Sequence, residues 1–430
     1  MKLTLLEKVY LWGIAVIFAG IIIHAPLSVG LGSLFPDYSV LIKSWKEILM
    51  LGLMVAAFFI VTKRHMWQEL LNDWIIRLIM LYASVHLILA NVMFEGTGPV
   101  LAGLAIDLRY VLYFLLVYVA LRIAPQYRSV MIRVGIIGAC VVVGFGTLQL
   151  FLPPDILSHI GYSRDTIMPY LTVDQNPEYI RVNSTLRGPN PLGAYTVIVL
   201  GLIAAIWIRS RAMLKERRMA ILIILLGICA ITCLWISYSR SALVAGIVTV
   251  LIVLMLTIGR KMSRSTWIAS TVIVCSILGT VIAARDTPFV ANVVLHENQN
   301  GGSAVSSNDG HVESLHVGTE RLFGQPFGGG VGSAGSASLY GDSPMIIENQ
   351  YLFIAHETGW LGLLIFIALF GLIMRSLWQQ RQDWLSLGVF ASGIGLSLIG
   401  LLLPVWADDT VSIVWWGLAA IAIAGGRHAK

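Results

Sequence analysis

The chain has 430 residues, 57% of them apolar and only 12% charged, and its mean hydropathy is +0.82. Soluble domains carry about twice that charge, so the composition excludes a globular enzyme and indicates an all-α integral membrane protein. The net charge of +6 does not mark a nucleic-acid binder, because the basic residues flank apolar stretches as the positive-inside rule expects.

Met1-Lys-Leu-Thr-Leu-Leu-Glu-Lys8 runs into an apolar stretch without an Ala-x-Ala cleavage site, which reads as a retained first helix. Apolar windows of about 17–25 residues predict about 12 transmembrane helices. They lie near 9–25, 45–62, 74–94, 100–121, 130–152, 189–208, 219–237, 241–259, 266–284, 348–374, 384–405 and 410–425. The chain then divides into helices 1–9 (1–284), a large extracytoplasmic loop (285–347) and helices 10–12 (348–430). Most Lys and Arg residues, including Lys63, Arg64, Arg122, Arg217, Arg260 and Arg375, fall in alternate connections. That alternation places both termini in the cytoplasm. Cys140, Cys229, Cys233 and Cys275 sit inside apolar windows and read as small hydrophobes.

His86, Asp107 and Arg109 are costly in hydrocarbon and are expected to face the bundle interior. Asp107 and Arg109 are two positions apart, so they point to different neighbours. Arg77, near a cytoplasmic end, is expected to snorkel. An ion pathway needs more such groups along several spans, and polar residues instead concentrate on the outer side.

The outer connections 153–188 and 285–347 are longer than mere connectors. Outer arginines oppose the topological bias, so each needs a reason. Arg181 and Arg187 precede Gly188-Pro189-Asn190-Pro191, where Asn190 is an expected N-cap and Pro191 suits a first turn. Guanidinium groups beside a helix N-terminus favour an anion, although snorkelling to headgroups is the plainer explanation. Arg240 is pinned in the tight turn Ser237-Tyr-Ser-Arg240-Ser241, where it can hold a diphosphate or pair with an outer acid.

These segments, with Pro326-Phe-Gly-Gly-Gly-Val-Gly332, Glu348-Asn349-Gln-Tyr351-Leu352 and Glu357-Thr-Gly359, resemble the O-antigen ligase/polymerase superfamily of bacterial membrane glycosyltransferases. The likeness covers about residues 181–360. It implies an inner-membrane enzyme that moves a glycan from undecaprenyl diphosphate onto an acceptor hydroxyl of a glycan or lipid, by inversion, without metal or cofactor. Arg181 and Arg240 would hold the diphosphate, with Arg187 and Asn190 beside them, and Asn349 and Tyr351 would contact substrate. Many members carry His where this chain has Glu348. A Glu can serve as general base, or it can simply satisfy a helix N-terminus. His311 falls where members carry Arg or His and would bind phosphate or orient the loop.

Gly330-Val-Gly-Ser-Ala-Gly335 spells G-x-G-x-x-G outside any βαβ pattern, so it reads as a flexible turn. His356-Glu357 lacks the second His of a zinc-protease helix. Trp406, Trp415 and Trp416 read as interfacial or packing aromatics, and Asp408 and Asp409 as solvated charge. Two rivals follow: ligase against polymerase within the family, and a lipid-linked glycan flippase or transporter outside it.

Overall fold

The computed structural model describes residues 3–173, 175–257, 283–285, 287, 290–291 and 307–427. In chain order the helices are α1 Leu5–Gly20, α2 His24–Leu34, α3 Ser39–Lys43, α4 Trp45–Lys63, α5 Trp67–Leu71, α6 Trp74–Val92, α7 Thr97–Ile123 and α8 Arg128–Leu148. A hairpin of β1 Leu171–Val173 and β2 Asn176–Arg181 follows, with Leu171 opposite Arg181. Then come α9 Pro189–Arg209, α10 Arg211–Lys215, α11 Arg217–Ile236, α12 Arg240–Thr257, α13 Ser307–Gly324, α14 Gly335–Ser338, α15 Gln350–Gln379, α16 Trp384–Ile399 and α17 Asp409–Arg427.

Nine helices among the described residues are long and apolar enough to cross a membrane, counting Leu5–Leu34 as one, and two shorter apolar helices join them. With a single two-stranded hairpin beside them, the chain is an all-α membrane protein. The expected span 266–284 lies, but for its end, outside the described residues, as does the Ser303–Ser306 part of the outer loop. Among the described residues of that loop, 307–324 forms a helix, α13.

Local rules explain the main boundaries. Thr4 and Glu7 form a reciprocal capping box at the start of α1. The break between α1 and α2 follows from Pro26, which has no N–H and whose ring crowds the carbonyl one turn earlier. Asp73 and Asp383 accept N–H bonds at the starts of α6 and α16.

Packing separates a lipid-facing belt from a dry interior. Phe58, Phe59, Ile228 and Val244 expose large apolar side chains outward, as hydrocarbon requires. Inside, α7 and α17 pack along their lengths. Trp415 and Trp416 are fully buried with rings 5.6 Å apart, and Tyr110 and Phe370 stack against them. Trp406, 2% exposed, belongs to the same cluster. These tryptophans are packing aromatics, not interfacial ones. Cys140, Cys229 and Cys233 are free thiols within the bundle, and Cys275 lies outside the described residues.

At the other end, Arg77 curls back to the Leu71 carbonyl and over the Trp74 ring, the helix-end behaviour its position predicts. Nearby, Arg122 pairs with Asp73 at 2.9 Å and with Glu69, and Tyr118 donates to Asp73 at 2.7 Å.

Candidate functional site

The site is organised by three helices packed through small residues. A Cβ on Gly193 of α9 would lie 2.7 Å from Ala242 of α12 and 3.1 Å from the Ser237 hydroxyl. A Cβ on Gly395 of α16 would meet Val197 at 2.9 Å and the Ala245 carbonyl at 3.0 Å, and one on Gly201 would meet the Gly388 carbonyl at 3.0 Å. Small residues let such helices approach closely. The matching levels also make α16 antiparallel to α9 and α12. The starts of α9 and α12 therefore share one end of the bundle with the last turn of α16 and the Gly400-Leu401 segment.

Arg181, half-buried at the end of β2, spans the two helix starts. Its Nε donates to the Ser237 carbonyl at 2.9 Å and its Nη2 to Asn190 Oδ1 at 2.6 Å. Asn190 is not the N-cap its sequence position predicts. The helix starts one residue earlier, at Pro189 after Gly188, so Asn190 lies in the first turn and its amide serves Arg181. Arg240 is the first residue of α12. It follows a turn in which Tyr238 takes a left-handed φ of 46° and Ser239 N–H donates to Ser237 Oγ at 3.2 Å. The start of α12 carries backbone N–H groups without intrahelical partners. In the first turn of α9, by contrast, Pro189 and Pro191 have no N–H and Leu192 N–H donates to the Gly188 carbonyl, which leaves Asn190 N–H.

Glu348 reaches the same end by another route. It lies just outside α15, and Asn349 is the N-cap, accepting from Tyr351 and Leu352 N–H at 2.9 and 3.0 Å. Glu348 is thus not in the helix's first turn. Its own N–H donates to Ser314 Oγ of α13 at 2.7 Å. Asn349 Nδ2 donates to the Leu401 carbonyl at 2.8 Å, Gln350 N–H to the Gly400 carbonyl at 2.8 Å, and Tyr351 OH to the Ser397 carbonyl at 3.2 Å. These bonds tie Asn349 and the Tyr351 hydroxyl to the end of α16 and the segment after it. Replacing Asn349 with Ala should cost about 1–2 kcal/mol and lower the melting temperature in detergent; unchanged melting would mean that the cap contributes nothing. The side chain of His311, on α13, lies outside the described set.

A second cluster lies inside the bundle, of which the sequence marks His86, Asp107 and Arg109 but not Glu357. His86, Asp107 and Arg109 are buried as expected. Asp107 faces His86 at 3.9 Å, whereas Arg109 turns to the Ala407 carbonyl and to Glu47 at 3.9 Å. Glu357 of α15, 1% exposed, comes within electrostatic reach of Asp107. Asp107 Oδ2 and Glu357 Oε2 have no hydrogen-bond partner among the described residues, and two neighbouring buried carboxylates repel unless one is protonated. Glu357 Oε1 accepts from Gly332 and Ala334 N–H, both at 3.2 Å.

The glycine-rich segment is therefore docked, contrary to the flexible turn its composition predicts. Gly329 and Gly330 N–H donate to the His356 and Glu357 carbonyls, and Trp360 N–H to the Pro326 carbonyl. That last bond is possible because α15 breaks at Gly359, which has φ 66°. Glu357→Gln keeps an acceptor for both amides and supplies a donor to Asp107, so it should stay within about 1 kcal/mol of wild type. Glu357→Ala should lose about 3 kcal/mol. Equal melting of the two variants would mean that the Glu357 side chain does not hold the segment in place.

Asp409 departs from the solvated charge expected of it. It is 1% exposed and pairs with His24 at 3.0 Å and Lys46 at 3.2 Å. These residues floor a cavity of about 540 Å³, which Arg109 and Arg187 also line. Arg187 is exposed and belongs to this cavity, whereas Arg181, Arg240 and Glu348 do not line it. No family model and no curated protein matches the chain.

Proposed function

We propose that the chain is a membrane glycosyltransferase of the O-antigen ligase/polymerase type, acting on the outer face of a bacterial inner membrane. In this reading it has about twelve spans, both termini in the cytoplasm and a large outer segment between helices 9 and 10. The observation that carries the proposal is Arg181, held between Asn190 and the Ser237 carbonyl across the starts of α9 and α12. The Arg181 guanidinium then lies between the starts of two helices, the second of which opens on Arg240, and in this reading the two arginines hold a diphosphate.

Glu348, brought to the same end through Asn349 and Leu401, is the proposed base. It takes the acceptor hydroxyl proton, the hydroxyl oxygen attacks the anomeric carbon, and the bond to undecaprenyl diphosphate breaks with inversion. Charge develops on the departing diphosphate, where fixed cations lower the barrier most. The transporter alternative draws support from His86, Asp107 and Glu357, which place titratable groups inside the bundle. Glu357 is accounted for by its docking of the glycine-rich segment, and we favour the transferase.

Mass spectrometry of lipid-linked glycans in a null strain, complemented with wild type or Glu348→Gln, tests the reading. Single repeat units stranded on the outer face indicate a polymerase, and long chains left on undecaprenyl diphosphate indicate a ligase. Units accumulating on the cytoplasmic face would refute transfer in favour of transport. Full complementation by a normally expressed Glu348→Gln would remove Glu348 as base.

A further inference from the structure

We infer that the cavity floored by Lys46, Arg109 and Asp409 is a sugar subsite, taking hydroxyl-rich rings of the glycan rather than its phosphates. This rests on the transferase reading for the identity of the ligand. At about 540 Å³ the cavity falls within the range of roughly 300–1,000 Å³ typical of small-molecule sites. Residues from α2, α4, α7, the 165–167 segment and the 336–340 segment form its wall, so it is a junction between several parts of the fold.

The chemistry of the wall decides the ligand class. Lys46 and Arg109 are 3% and 5% exposed, and acids stand beside them. Lys46 contacts Glu47 at 3.2 Å and Asp409 at 3.2 Å. At the mouth, Asp165 accompanies Arg187. An anion entering this cavity would meet the basic groups of Lys43, Lys46, Arg109 and Arg187 but also three carboxylates, Glu47, Asp165 and Asp409. With the buried cations already paired, the wall offers mixed donors and acceptors rather than a concentrated positive site. Sugar hydroxyls donate and accept at once, which suits interleaved acids and bases. Ser28, Ser33 and Ser336 add hydroxyls around the wall, and Tyr340, 65% exposed, offers an aromatic ring at the edge. Beneath the surface, Arg109 Nε and Glu47 Oε2 lack partners among the described residues, one donor and one acceptor that a polyol could satisfy after a small side-chain shift.

Saturation-transfer NMR on the full-length protein in nanodiscs tests this, with oligosaccharide released by mild acid from the lipid-linked glycans of the producing strain. Ring protons should receive saturation with wild type. The signal should fall roughly ten-fold with Ala105→Trp and with Ala102→Trp, which fill the cavity from α7 without altering its charges. The Arg240→Ala protein should keep the signal while losing transfer. Absence of signal with wild type, or an undiminished signal with both filled variants at wild-type melting temperature, would overturn the subsite. So would displacement of the oligosaccharide by inorganic pyrophosphate, which would mark an anion site. Retained transfer by Arg240→Ala, with oligosaccharide binding still lost on filling, would sink the diphosphate assignment and leave the subsite standing.

Discussion

Gly332→Ala should destabilise the protein by about 3 kcal/mol or more, the largest single-methyl effect expected in the chain. Gly332 has φ 84°, a left-handed conformation that costs an L-residue about 1–2 kcal/mol. Its missing Cβ points at the Pro99 carbonyl, which it would overlap, and at Val100 N, 3.1 Å away. The approach is close from both sides, since a Cβ built on Gly103 would itself lie 2.6 Å from Gly332 N. Overpacking of this kind adds about 1–3 kcal/mol, and any shift also lengthens the Gly332 N–H bond to Glu357. The control is Gly324→Ala at the end of α13, where a Cβ would meet nothing within 4 Å. Thermal melting of both proteins in the same detergent decides the matter. A Gly332→Ala protein melting with Gly324→Ala would mean that the docked geometry does not hold in solution.

Much of the fold was legible because a membrane helix advertises itself over a full span of apolar residues. The windows near 45–62, 74–94 and 189–208 match Trp45–Lys63, Trp74–Val92 and Pro189–Arg209 closely. The site was legible only where it is local in sequence. Arg181 and Asn190 are nine positions apart and meet directly, and the Ser237–Arg240 turn reads from its own residues. Partners brought together by tertiary packing left no such trace. Glu357 and Asp107 lie 250 positions apart and each looks like an isolated carboxylate. Asp409 sits in a polar turn, and nothing near it in sequence announces that His24 and Lys46 bury it. The glycine-rich segment misled for a related reason. Glycine spelling reports conformational freedom in the unfolded chain, whereas four of these glycines, Gly328, Gly330, Gly332 and Gly335, use positive φ to fit one rigid surface.

If the chain is the glycosyltransferase proposed above, Arg181→Lys should lower the rate of glycan transfer by roughly 100-fold or more, the scale on which single donors to a developing anion act. The substitution keeps the charge, so it isolates geometry. Guanidinium presents a planar fork of donors, and here one edge is already engaged by Ser237 and Asn190, which fixes the plane over the two helix starts. A Lys ammonium is a point charge on a flexible stem. It can satisfy one of these acceptors or a phosphate oxygen, but it cannot bridge them in a fixed orientation. The loss should fall on kcat more than on KM, because the diphosphate gains charge as the glycosidic bond breaks. Arg240→Lys should behave alike, and the double variant should lose less than the product of the two, since both cations act on one leaving group. A structural Arg181 predicts something else: a lower melting temperature, fewer folded molecules and an unchanged kcat for each one that folds. Transfer by purified Arg181→Lys and Arg240→Lys proteins, measured with a lipid-diphosphate-linked donor and normalised to folded protein, separates these cases. Wild-type kcat in both would end the assignment of this pair to the diphosphate.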